Sequence, residues 1–74
     1  MRISYINMNS FGKNLKELRK EKNLLQSDIA KALCVTDATV SRWEMGKQEP
    51  DFDMLIKIAK YFNVSTDYLL GLED

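Results

Sequence analysis

An all-α fold of five helices is predicted by three features of the chain. Apolar residues recur at the three- and four-residue spacing of a helix along most of its length. Breakers are scarce, with three glycines and one proline among 74 residues. Residues suited to start or stop a helix stand at the ends of the apolar runs. A chain this short makes one domain that buries roughly 60 to 65% of its unfolded surface, so its core must be economical.

Residues 1–8, MRISYINM, lack helical periodicity, and Ile3 and Tyr5 share a strand face only briefly. They read as an N-terminal extension, either loosely ordered or an arm for a partner or nucleic acid. Helix 1 is expected over about residues 11–22. Ser10 is its cap, Phe11, Leu15, Leu18 and the stem of Lys22 face inward, and Asn23 suits the left-handed stop. Helix 2, about Gln26 to Leu33, buries Ile29, Ala30 and Leu33. Its cap position holds Leu25, which accepts no hydrogen bond, a loss on the order of 1 kcal/mol. Asp28 in the first turn and Leu24 stapled onto Ile29 offset part of it.

Cys34, Val35 and Thr36 form a break, and helix 3 starts after the cap Thr36, turns Val40 and Trp43 inward, and stops before Gly46. A positive φ at Cys34 would carry strain on the order of 1 kcal/mol; its thiol is expected to be semi-buried. After the loop KQEP, Asp51 caps helix 4, expected to bury Phe52, Leu55, Ile58 or Ala59, and Phe62. Ser65 caps a short helix 5, Thr66 to Leu70, closed by Gly71.

Composition excludes several functions. A single cysteine forms no internal disulfide, and the absence of histidine removes the commonest acid/base group and transition-metal ligand. No phosphate-cradling glycine loop and no nucleophile paired with a base is present, so neither an enzyme nor a cofactor or metal site is expected. No small-molecule ligand is evident. The N-terminus has neither the charge nor the apolar run of a signal peptide or membrane span, so a reduced, cytoplasmic setting is expected.

Net charge is zero, with eleven basic and eleven acidic side chains, which by itself argues against a nucleic-acid partner. The charge is polarised, however. Arg2, Lys13, Lys16, Arg19, Lys20 and Lys22 outnumber Glu17 and Glu21 at the start, whereas Glu49 to Asp74 holds six acidic and two basic side chains.

Gln26 to Glu44, QSDIAKALCVTDATVSRWE, has the helix, tight turn and helix grammar of a DNA-binding helix-turn-helix. Gln at the start of helix 2, Ala30, Val40, the step WEMGK, Pro50 and the ending VSTDYLLG together resemble the Xre/Cro/C1-type family of bacterial and phage repressors. The likeness covers about residues 9 to 72. It implies a compact five-helix lambda-repressor-like domain over residues 9–74 that binds double-stranded DNA as a homodimer.

Helix geometry sorts the candidate residues. Asp37, Ala38, Ser41 and Arg42 lie on the outer face of helix 3 with Thr39 at its edge, placed for a major groove about 12 Å wide. Arg42 suits guanine O6 and N7, Ala38 suits a thymine methyl, and Asp37 either accepts from cytosine N4 or only supports the helix start. The alternative for Arg42 is an exposed charge beside Asp37 or Glu49. The resemblance implies base reading by Asp37, Ala38 and Arg42, and phosphate anchoring by Thr36 and Gln26. Gln26 also stands at a helix start that favours phosphate, and Lys47, Lys13 and Thr39 are further phosphate candidates. The resemblance further implies a structural ion pair between Arg19 and Glu44. It places a dimer surface at the C-terminus, for which Tyr61, Val64, Tyr68, Leu70 and Leu72 are candidates, Leu69 being assigned to the core.

The function expected is that of a transcriptional repressor occupying a near-palindromic operator. The alternative is an antitoxin-like or other interaction module on the same fold.

Overall fold

The computed structural model describes residues 8–72, with side chains from residue 10 onward. Five helices follow one another: α1 (Met8–Glu21), α2 (Gln26–Leu33), α3 (Asp37–Glu44), α4 (Phe52–Phe62) and α5 (Thr66–Leu69). The N-terminal extension proposed over residues 1–8 lies, but for Met8, outside the described residues. Met8 opens α1, so Ser10 sits inside that helix and is not its cap.

The helix starts obey local chemistry. The side-chain oxygens of Thr36, Asp51 and Ser65 accept from the backbone N–H groups of Thr39, Met54 and Tyr68 at 3.1, 2.8 and 2.9 Å. Leu25 has no acceptor to offer. Instead the Asp28 carboxylate reaches back to the Leu25 N–H at 2.7 Å, which is the one half of a capping box that leucine permits.

All five helices stop in the same way. A left-handed residue follows the last turn: Asn23, Cys34, Gly46, Asn63 and Gly71, with φ of 58, 60, 74, 58 and 77°. The next residue then donates its N–H back across the turn, as Leu24 to Arg19 O at 3.0 Å, Val35 to Ala30 O at 2.9 Å and Lys47 to Arg42 O at 2.9 Å. Cys34 is the one of the five that is neither glycine nor asparagine, and it carries the anticipated strain. Its side chain is exposed rather than semi-buried, because the turn places it outside the apolar stripe of α2.

The core joins Phe11, Leu15 and Leu18 of α1, Ile29, Ala30 and Leu33 of α2, Val40 and Trp43 of α3, Leu55, Ile58, Ala59 and Phe62 of α4, and Leu69 of α5. Two inward assignments fail. Lys22 lies past the end of α1 and is exposed. Phe52 is 83% exposed. At 3.6 residues per turn the stripe of Leu55, Ile58, Ala59 and Phe62 runs back to Asp51, the capping residue, and Phe52 is rotated off it.

Gly12 decides how α3 sits. A β-carbon there would stand 2.5 Å from the carbonyl oxygen of Trp43 and 2.7 Å from that of Glu44, so α1 crosses the end of α3 backbone to backbone. Asn14 ties the other end of the fold, its Nδ2 donating to the carbonyls of Tyr68 at 2.9 Å and Leu69 at 3.3 Å. None of the described helices is long and apolar enough to cross a membrane.

Candidate nucleic-acid interface

The sequence of α3 separates its two faces. Val40 and Trp43, three residues apart, are 0% and 2% exposed and pin the helix to the core. The opposite side carries Asp37, Ala38 and Arg42, all exposed, while Ser41 and Thr39 are half-buried beside them. Trp43 therefore has no surface to offer a base. Its buried indole N–H meets no acceptor among the described residues, a cost the packing of the ring must outweigh.

Thr36 and Thr39 act together. Besides capping α3, the Thr36 hydroxyl lies 2.9 Å from that of Thr39. One hydroxyl donates to the other, which leaves the second proton available to an outside acceptor such as a phosphate oxygen. Lys47 and Lys13 are both exposed, as a phosphate contact requires.

Arg42 has a neutral partner. Its Nε donates to Oε1 of Gln48 at 2.8 Å, and neither Asp37 nor Glu49 takes that place. The pair as a whole is therefore cationic, not neutralised as a carboxylate partner would make it.

Gln26 is held inward. Its Nε2 donates to Oε1 of Glu44 at 3.0 Å, joining the start of α2 to the end of α3. The same carboxylate receives Arg19 bidentately, Nε to Oε2 at 2.7 Å and NH2 to Oε1 at 3.0 Å, while Arg19 NH1 donates to the Leu24 carbonyl at 3.0 Å. The two side chains are 13% and 3% exposed. The hydrogen bond to Glu44 outweighs desolvation and, with the Coulombic attraction, raises the Arg19 guanidinium above its ordinary range. One carboxylate thereby fastens α1, α2 and α3.

The C-terminal candidates are divided. Tyr61 and Leu72 are 42% and 44% exposed, whereas Val64, Tyr68 and Leu70 are half-buried against the core, and Leu69 is fully buried. Phe52 and Ile56, one turn apart on α4, form a second exposed apolar pair that the periodicity did not indicate. Gln48, Asn14 and Gly12 were also missed. Asn14 and Gly12 each had a signal, a polar residue within the apolar stripe of α1 and an isolated glycine inside a helix.

The sequence profile described as helix-turn-helix matches residues 15–69, including both helices and the turn described above. The chain belongs to this family, in its Xre/Cro/C1-type form. It is similar to the HTH-type transcriptional regulator ImmR of Bacillus subtilis, 40% identical over 65 residues that make up 88% of this chain and 51% of that protein. It is similar also to the HTH-type transcriptional activator BcrR of Enterococcus faecalis, 41% identical over 86% of this chain and 31% of that one. Among solved structures, the P22 c2 repressor in complex with a synthetic operator superposes with a TM-score of 0.80 at 28% identity, over 85% of this chain and 96% of that chain. The chain spans about half the length of ImmR and about a third of BcrR. Members with these names are regulators, not enzymes.

Proposed function

We propose that this chain is the operator-reading domain of a transcriptional repressor and inserts α3 into the major groove of double-stranded DNA. The observation that carries the reading is the division of α3. Val40 and Trp43 lock it to the core, while Asp37, Ala38 and Arg42 face outward from a rigid support. The likeness to a repressor solved with its operator supports the same use.

Arg42 supplies the main base contact, with Ala38, Ser41 and Asp37 around it. Thr36, Thr39, Gln26, Lys47 and Lys13 meet phosphates and set position. Contacts of that kind make binding fall with salt without specifying sequence. With few of them per protomer, useful affinity calls for two half-sites, and a two-fold dimer formed through Tyr61, Val64, Tyr68, Leu70 and Leu72 would present its recognition helices about 34 Å apart. Repression requires only that the bound domain obstruct a promoter. The likeness to an activator makes the direction of control a matter for a reporter assay with the operator placed over or upstream of the promoter.

Selection from random duplexes is the primary test. The expected product is a near-palindromic motif whose central preference relaxes in Arg42→Ala. Recovery of no motif, together with salt-independent binding, would overturn the reading and favour an interaction module.

A further inference from the structure

We propose that Gln48 is a positioning residue for base recognition, holding the Arg42 guanidinium so that its two terminal nitrogens face the groove. The inference rests on the DNA-reading role of α3 and deepens it.

The local chain path produces the arrangement. Gly46 at φ 74° ends α3, and the N–H of Lys47 returns to the Arg42 carbonyl at 2.9 Å. The residue that follows Lys47 is thereby brought alongside the one whose carbonyl it caps. Gln48 then accepts the Arg42 Nε–H through Oε1 at 2.8 Å. The orientation of the amide is fixed by chemistry, since a guanidinium has donors only and the glutamine must present its oxygen.

Two consequences follow for recognition. A guanidinium can grip guanine O6 and N7 either through Nε and one terminal nitrogen or through both terminal nitrogens. With Nε engaged by Gln48, only the second mode remains, so the side chain is confined to one approach before DNA arrives. Because the partner is neutral, the confinement leaves the charge intact. A carboxylate in that place would hold the side chain equally well while cancelling the attraction to phosphate and guanine.

The experiment uses the full chain and a set of duplexes that differ at the base pair whose preference Arg42→Ala relaxes. Binding is followed by fluorescence anisotropy at stated salt. Gln48→Ala is expected to reduce discrimination at that pair by about five-fold, the lower range for one bidentate contact. Affinity for non-cognate duplex and the salt slope should stay near wild type, which a structural loss would not allow. Gln48→Glu, which keeps the acceptor, should restore discrimination at lower overall affinity. If Gln48→Ala discriminates as wild type does, or binds the cognate duplex more tightly, Gln48 is a bystander or a competitor for Arg42 and the proposal fails. A wild-type chain that selects no motif would instead overturn the DNA reading on which it rests.

Discussion

Removal of the Glu44 carboxylate should destabilise this fold strongly. Its two oxygens receive Arg19 Nε, Arg19 NH2 and Gln26 Nε2 at 2.7, 3.0 and 3.0 Å, and the side chain is 3% exposed. Glu44→Ala deletes all three bonds and leaves the Arg19 guanidinium, 13% exposed in the intact fold, with the Leu24 carbonyl as its one remaining partner among the described residues. Breaking a pair of this burial typically costs about 3 to 5 kcal/mol. The lower figure applies here, since Arg19 lies at the rim of the core and water can reach part of it. For a domain of this length the whole stability is about 4 to 11 kcal/mol, so about 3 kcal/mol is a large share. It corresponds to a fall in Tm of about 12 to 24 °C. Urea unfolding of Glu44→Ala, Arg19→Ala and the double variant measures the coupling directly, with an unchanged m-value securing the comparison. A coupling energy near zero, or a loss below about 1 kcal/mol for Glu44→Ala, would refute the structural role assigned to the pair. The pH dependence has a defined sign. The folded-state pKa of Arg19 is raised, so the stabilisation it represents is fully present below the ordinary guanidinium range and is lost only as pH rises through the elevated value. Arg19 titration should therefore add no slope to stability between pH 6 and about 9.

Gly12→Ala should destabilise by about 1 to 3 kcal/mol despite the better helix propensity of alanine, because both close contacts are backbone oxygens that cannot turn aside; thermal melts check the sign. Cys34→Gly should stabilise by about 1 kcal/mol by relieving the left-handed strain, whereas Cys34→Ala, which keeps a β-carbon, should not. Asn14→Ala should lower stability by about 1 to 2 kcal/mol through its lost bonds to the last turn of α5, read as a shift of the urea midpoint at constant m. Gln26→Ala is expected to weaken binding to all duplexes alike and also to lower Tm, since the same amide braces Glu44; anisotropy below the melting range separates the two effects.

The helices and most of the core were legible in the chain because they follow from short-range rules. Thr36, Asp51 and Ser65 cap because each oxygen meets an amide three residues away, and Asn23, Gly46 and Gly71 stop helices because their own φ can be positive. The stripe Ile29, Ala30, Leu33, Val40 and Trp43 follows from period alone, and it already left Arg42 facing outward. Phe52 shows where period fails. Apolar character at a plausible interval said nothing about whether another helix reaches that turn, and none of the described helices covers it.

The sequence by itself determined the five helices, the caps of α3, α4 and α5, the left-handed stops at Asn23, Gly46 and Gly71, and most of the inward positions, since all of these depend on atoms within a few residues of one another. Tertiary structure alone decided that Gln26 bonds Glu44, that Asn14 holds the end of α5, and that Gly12 admits the backbone of α3. Those contacts join positions far apart in the chain, and their distances are set by how helices cross. Crossing geometry depends on the side chains of both partners at once, which no periodicity in one segment contains.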